Sequence, residues 1–248
     1  MRAGDFDYEA HGRGYAFVRR PDPRIEAMIH GALGDARTVL NVGAGAGSYE
    51  PRDRHVVAVE PSQAMRAQRP RASAPAVIGR AEALPFDDGA FDAAMATLTI
   101  HQWQDLEKGL REVRRVTRGP IVLLTFDPAR MERFWLARYA PELIAVEARR
   151  DPPLARLEAA LGPLAVSEVP IPLDCTDGFT EAFYGRPERL LDPALRAAQS
   201  SWGFLGEGEP ARIVERLAAD LESGAWDARH GALRTEPTFV GSLVLVVA

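Results

Sequence analysis

The segment Thr38-Val-Leu-Asn-Val-Gly-Ala-Gly-Ala-Gly47 does most to limit how this chain can fold. A short β-branched run leads straight into three alternate glycines, and Val56-Val-Ala-Val-Glu60 repeats the strand pattern with a carboxylate at its end. Two such runs, each ending in residues fit for ligand contact, predict adjacent parallel strands whose carboxyl ends form a crevice. Gly43, Gly45 and Gly47 bring bare backbone to that crevice, where a ligand can approach without meeting a side chain. Glu60 follows strand two at the same end of the sheet, suited to accepting hydrogen bonds from a pair of ribose hydroxyls. The pair predicts a pocket for an adenosine-containing ligand.

The ligand is not expected to be a dinucleotide. In G-x-G-x-x-G the third small residue opens a helix onto a pyrophosphate, whereas here Gly47 arrives one residue early and Ser48-Tyr49-Glu50-Pro51 follows. Glu50 would repel a pyrophosphate, and Pro51 opposes a long regular helix, so only a short helix over 47–51 is expected. A G-x-G-x-G loop suits a small amino-acid moiety laid across the backbone. Asn41-Val-Gly-Ala-Gly-Ala-Gly47 resembles the nucleotide loop of class I S-adenosylmethionine-dependent methyltransferases. Gly79-Arg-Ala-Glu-Ala-Leu-Pro-Phe-Asp-Asp-Gly-Ala-Phe-Asp92 and Thr97-Leu-Thr-Ile-His-Gln-Trp103 are similar to later motifs of their small-molecule group, the ubiquinone/menaquinone-methyltransferase-like or type 11 enzymes. The likeness covers roughly residues 36–127, in the family's order and spacing.

That resemblance implies S-adenosylmethionine as methyl donor, S-adenosylhomocysteine as product and no metal. It implies an α/β fold: a doubly wound, mostly parallel seven-stranded sheet of the Rossmann-like methyltransferase type. The residues it assigns to the donor are Asn41, Gly43, Ala44, Gly45, Gly47, Glu60, Pro61, Ser62, Met65, Ala81, Glu82 and Thr97. Ser62 and Met65 are expected to flank the adenine, and Tyr15 to cap the donor. Glu82 has a second reading, as the cap of a following turn. Asn41 stands where the family usually has a carboxylate, and Arg80 where an aspartate is common. The first departure removes a charge from the donor's amino group; the second leaves Arg80 free to point to solvent.

His101 is the candidate catalytic residue, either a base for an acceptor proton or, with Trp103, a wall of the pocket. Trp103, Phe183 and Tyr184 are expected at the acceptor. His11, His30, His55 and His230 lack comparable surroundings and read as structural or surface residues. Asp127 after strand five could begin a metal site, but no partner pattern accompanies it.

Composition narrows the function further. A net charge of −5 provides no basic stripe for nucleic acid. Lys108 is the only lysine, which excludes a Walker loop and a Schiff-base mechanism, and Cys175 is the only cysteine, which excludes an intrachain disulfide. No apolar run approaches a membrane span and no secretory leader is visible, so a cytoplasmic, membrane-free protein acting on a small-molecule acceptor is expected.

Alternating strands and helices from 22 to 127 predict the doubly wound core. Helices are expected over 22–33, 105–117, 129–139 and 153–161, a sixth strand over 164–173 and a last over 240–247. Residues 1–20 read as an ordered arm, and 178–235 as an aromatic-rich helical insertion that closes over the site. The whole chain, 1–248, reads as one domain with its core over about 22–177 and 236–248. Two other functions remain open: non-methylating chemistry on bound S-adenosylmethionine, and a non-catalytic partner-binding module.

Overall fold

The computed structural model describes residues 4–12 and 14–248. Residues 1–3 and 13 of the expected arm, and the His11 side chain, lie outside the described residues. The strands are β1 Thr38–Val42, β2 His55–Val59, β3 Ala76–Val77, β4 Ala93–Thr97, β5 Ile121–Phe126, β6 Ala165–Glu168, β7 Ile171–Pro172, β8 Thr238–Phe239 and β9 Leu243–Val247. Seven of them form one sheet in the order β3-β2-β1-β4-β5-β9-β6. The pairs from β3 through to β5 are parallel, and β9 runs antiparallel between β5 and β6. The doubly wound, mostly parallel, seven-stranded sheet is therefore present.

Both faces of the sheet are covered, which explains the unbroken apolar strands. Along β1, β4, β5 and β9 alternate residues enter opposite layers. Val39, Met95, Val122, Leu124, Leu243 and Leu245 meet Ile25 and Ile29 of helix Pro23–Ala32 on one side. Leu40, Ala94, Leu123 and Val244 meet Leu110 and Val113 of helix Leu106–Val116 on the other. Phe179, Phe183, Tyr184, Trp202, Ile213 and Trp226 belong to the same cluster as helix Pro23–Ala32, so the helical segment 178–235 packs onto the sheet's own core. No helix among the described residues is long and apolar enough to cross a membrane.

Four local expectations need correction. Residues 47–51 form turns, not a helix, because Gly43, Gly45, Gly47 and Tyr49 all take positive φ values, which an α-helix does not admit. The sixth strand breaks into β6 and β7: Pro170 has no N–H for the ladder to β9, and the chain steps into a separate ribbon with β8. The last strand starts at Leu243 rather than 240. Residues 128–139 form a 3-10 turn, Pro128–Arg133, and a short helix, Leu136–Tyr139, and a further helix, Pro141–Arg150, follows with proline in its first turn. That unanticipated helix carries polar groups of the site described next.

Candidate active site

A cavity opens at the carboxyl ends of β1, β2 and β4. Its floor is the glycine loop, which folds back so that the N–H groups of Gly43 and Ala44 both donate to the Val59 carbonyl, at 2.9 and 3.0 Å. Gly43 is required as glycine, for its φ is +69° and a Cβ there would lie 2.3 Å from Thr99 Oγ1. Tyr49, at φ 64°, is held by its buried hydroxyl, which donates to Asp177 Oδ2 at 2.8 Å.

Glu60 sits at the mouth of β2, only 6% exposed. Its Oε2 accepts from Gly45 N–H at 2.8 Å and its Oε1 from Ser62 N–H at 2.7 Å. Burial pushes its carboxyl above the usual range, opposed by these two amides. The carboxylate thus braces the glycine loop against the start of helix Gln63–Arg66 while facing the cavity.

Of the residues expected at the donor, Gly43, Ala44, Gly45, Glu60, Pro61, Met65, Ala81, Glu82, Thr97 and Tyr15 line this cavity. Asn41, Gly47 and Ser62 are not among its lining. Asn41 lies beneath the loop, its amide donating to Glu50 Oε1 at 3.0 Å while its own Oδ1 is buried with no partner. Glu50 is ion-paired with Arg69 at 2.8 Å, which gives the carboxylate after the loop a structural task. Ser62 caps its helix and donates to Glu9 of the arm at 2.8 Å. Glu82 lines the cavity, and instead of capping the turn that follows it, it accepts from the N–H groups of Gln104 and Asp105, 22 and 23 residues on. Arg80, expected toward solvent, lines the cavity instead, and so does Trp103, which was expected at the acceptor.

The arm closes one side. Glu9 accepts from Gln63 N–H at 2.6 Å, Gln68 donates to the Gly12 carbonyl at 2.8 Å, and Ala16 N–H donates to Gln68. Tyr8 and Tyr15 meet edge to face at 5.9 Å. Tyr8, Tyr15 and Leu98 also line a second, smaller cavity, so the two spaces share one wall. Leu98, with φ 52°, turns the chain at the end of β4 into the short 3-10 helix Ile100–Gln102.

The second cavity is lined by Arg19, His101, Phe126, Glu147, Arg150, Asp151, Phe179, Thr180 and Ser201 among others. His101 Nδ1 lies 3.6 Å from Asp151 Oδ1, too long for a hydrogen bond. Burial, with the nearby Arg150 and Arg19 charges, pushes His101 down to about 3, so the ring is neutral at ordinary pH and a weak proton acceptor. Burial and the neighbouring Glu147 drive the Asp151 carboxyl well above its usual range.

Phe183 and Tyr184 do not reach either cavity. Tyr184 is fully buried, stacked on Phe239 at 5.2 Å with its hydroxyl donating to the Glu236 carbonyl, and Phe183 packs beneath Arg186. Their expected place at the acceptor is corrected: large aromatic side chains in this segment complete the core. Asp127 is likewise engaged, accepting from Ala129 N–H and Arg130 Nε. Glu147, Arg150 and Asp151 escaped the sequence reading altogether. Their i, i+4 spacing after Pro141 is the one signal that could have found them.

Similarity to known proteins agrees with this geometry. A family model described as a methyltransferase domain matches residues 40–120. The chain is 31% identical over 153 residues to malonyl-[acyl-carrier protein] O-methyltransferase of Erwinia pyrifoliae, covering 56% of each. It is 38% identical over 176 residues to the uncharacterized protein YafE of Escherichia coli, covering 68% of this chain and 74% of that one. It spans about half the length of the first curated relatives it matches. A crystal structure from Anabaena variabilis, described as a "putative methyltransferase from antibiotic biosynthesis pathway", superposes with a TM-score of 0.85 at 31% identity, covering 93% of this chain and 98% of that one.

Proposed function

The chain belongs to the class I S-adenosylmethionine-dependent methyltransferases, and from that premise we propose that it moves a methyl group from S-adenosylmethionine to a small organic acceptor. The observation that carries this reading is the pair of cavities sharing the wall of Tyr8, Tyr15 and Leu98, one at the glycine loop and one lined by polar groups. When bound, S-adenosylmethionine supplies an activated methyl group on a sulfonium centre.

The residues present fit that donor. Glu60 has the burial and position to take the ribose hydroxyls, and Gly43, Ala44 and Gly45 set bare backbone along the cavity. Asn41 Oδ1, buried and unpartnered beneath the loop, is an acceptor in search of a donor group, directly or through water. Met65, Pro61, Ala81 and Trp103 offer the apolar surface an adenine needs. In this reading residues 1–248 act as one domain, and segment 178–235 supplies the outer acceptor wall through Phe179, Thr180 and Ser201. His101 aligns the acceptor as a neutral hydrogen-bond partner. Correct alignment of reacting atoms contributes up to about 7–11 kcal/mol to such displacements.

Calorimetric titration with S-adenosylmethionine and S-adenosylhomocysteine tests the donor half, and release of S-adenosylhomocysteine with candidate acceptors tests transfer. Micromolar binding and acceptor-dependent release are expected. Absence of binding by either compound would overturn the reading.

A further inference from the structure

Resting on the methyl-transfer reading above, we propose that the acceptor is a small amine, cationic in water, recognised in the second cavity by Asp151, Glu147 and His101.

Each arginine of that cavity is ion-paired with a carboxylate outside its lining. Arg19 donates to both carboxylate oxygens of Asp177, at 2.6 and 3.3 Å. Arg150 holds Asp5 in the same two-pronged way, at 2.6 and 3.0 Å, and lies over the Phe204 ring. Among the described residues neither carboxylate has a close cationic partner of its own; Arg150 acts on both only at a distance. Glu147 and Asp151 stand one helical turn apart, so they face the same space. Glu147 accepts only from the Thr180 and Ser201 hydroxyls among the hydrogen bonds seen, at 3.1 and 3.0 Å. Among the described residues Asp151, 6% exposed, keeps its Oδ1 buried without a hydrogen-bond partner, as does Nδ1 of His101 opposite.

His101 cannot supply the missing positive charge. With the Gln102 amide turned so that its oxygen faces the donors, that oxygen accepts from His101 Nε2 at 2.9 Å and from Arg150 at 2.7 Å. The ring proton is then on Nε2, and Nδ1 offers a bare lone pair toward Asp151. Burial raises both the Glu147 and the Asp151 carboxyl, so each holds its proton to higher pH than an exposed carboxyl does. An ammonium fills every gap at once: N–H donors for Asp151 Oδ1 and His101 Nδ1, and a charge for two carboxylates. A hydroxyl brings no charge to hold these carboxyls ionised, and an anionic guest opposes their ionisation. Phe126 and Phe179, in edge contact at 5.8 Å, give the apolar body of such an amine its wall.

Proton bookkeeping makes the proposal measurable. An ammonium arriving from water at a protonated Asp151 carries one proton more than the bound pair needs. One N–H or O–H bond breaks, and that proton leaves to solvent. The proton that remains lies between nitrogen and Asp151 Oδ1, and when it rests on oxygen the nitrogen lone pair is free.

The test is calorimetric titration of the full chain, with and without S-adenosylhomocysteine, against phenethylamine, phenethyl alcohol and phenylacetate. Each is run in two buffers of different ionisation enthalpy. Phenethylamine is expected to bind about tenfold or more tighter than the alcohol, as for a hydrogen bond to a charged group. Its binding heat should change with buffer as about one proton is released. Asp151→Asn should erase both the preference and the proton release while S-adenosylhomocysteine still binds, and Glu147→Gln should weaken the preference. Equal or tighter binding of the alcohol or the acid, no binding of the amine, or proton release unchanged in Asp151→Asn overturns the proposal. Failure of S-adenosylhomocysteine to bind strikes the donor reading alone, because the three probes are also ranked on the free chain.

Discussion

Replacing Glu60 with alanine removes a carboxylate with two separable tasks. In the free protein it accepts two backbone N–H groups, from Gly45 at 2.8 Å and Ser62 at 2.7 Å, and so ties the glycine loop to the next helix. Hydrogen bonds to a charged group contribute about 1.5–3 kcal/mol each, but the freed amides face a cavity that admits water, so a stability loss of about 1–3 kcal/mol is expected. The ribose hydroxyls lose a charged partner as well, which weakens donor binding by about 1.5–3 kcal/mol, or roughly tenfold to a hundredfold and more. Glu60→Gln separates shape from charge: its amide oxygen can serve one backbone N–H, while its NH2 opposes the other. Because burial raises the Glu60 carboxyl, wild-type donor affinity should fall as pH drops through that raised value, and the glutamine variant should lose this slope. Calorimetry with S-adenosylhomocysteine across pH measures the affinity, and denaturant unfolding measures the stability. Unchanged affinity in Glu60→Ala would refute the assignment of this carboxylate to the donor.

Three further perturbations have definite expected outcomes. Gly43→Ala sets a Cβ 2.3 Å from Thr99 Oγ1 at φ +69°; the protein should remain folded by circular dichroism yet bind S-adenosylhomocysteine more than tenfold weaker, at about 1–2 kcal/mol for left-handed backbone alone. Asp177→Ala leaves the Arg19 charge buried and frees the Tyr49 hydroxyl, so unfolding should show a loss of about 3–5 kcal/mol; a loss near zero would mean that this ion pair is not a brace. Burial pushes Glu181 up to about 7, above its unfolded value, so the folded state binds the extra proton. Its contribution is present below the unfolded value and is lost as pH rises through about 7. Thermal melts of Glu181→Gln should therefore show a smaller drop in Tm between acid and mildly alkaline buffer than the wild type.

The donor half of the site was legible because its signals are local. A β-branched run ending in alternate glycines, and another ending in Glu60, specify strand, turn and ligand chemistry within a few residues of one another. Gly43, Gly45 and Glu60 were read this way and line one cavity, as do Met65 and, from the family resemblance, Ala81. The misjudged loop at 47–51 shows the limit of the same reasoning. Pro51 argued only for a short helix; the positive φ of Tyr49 depends on Asp177, a partner 128 residues away in sequence.

The acceptor half lies beyond such signals. Glu147 and Asp151 on a helix read like any solvated polar face until that helix docks beside His101 and Thr180. Tyr184 reads like a binding surface until Phe239 and Trp135 pack against it, and Phe183 until it is buried beneath Arg186. By itself, then, the sequence determined the parallel sheet, the glycine loop and the carboxylate at the end of the second strand, since neighbours along the chain dictate backbone conformation. Only the tertiary structure decided which charges are cancelled, which are stranded and which aromatics are core, because burial and pairing are set by residues distant in sequence that meet only when the chain has packed.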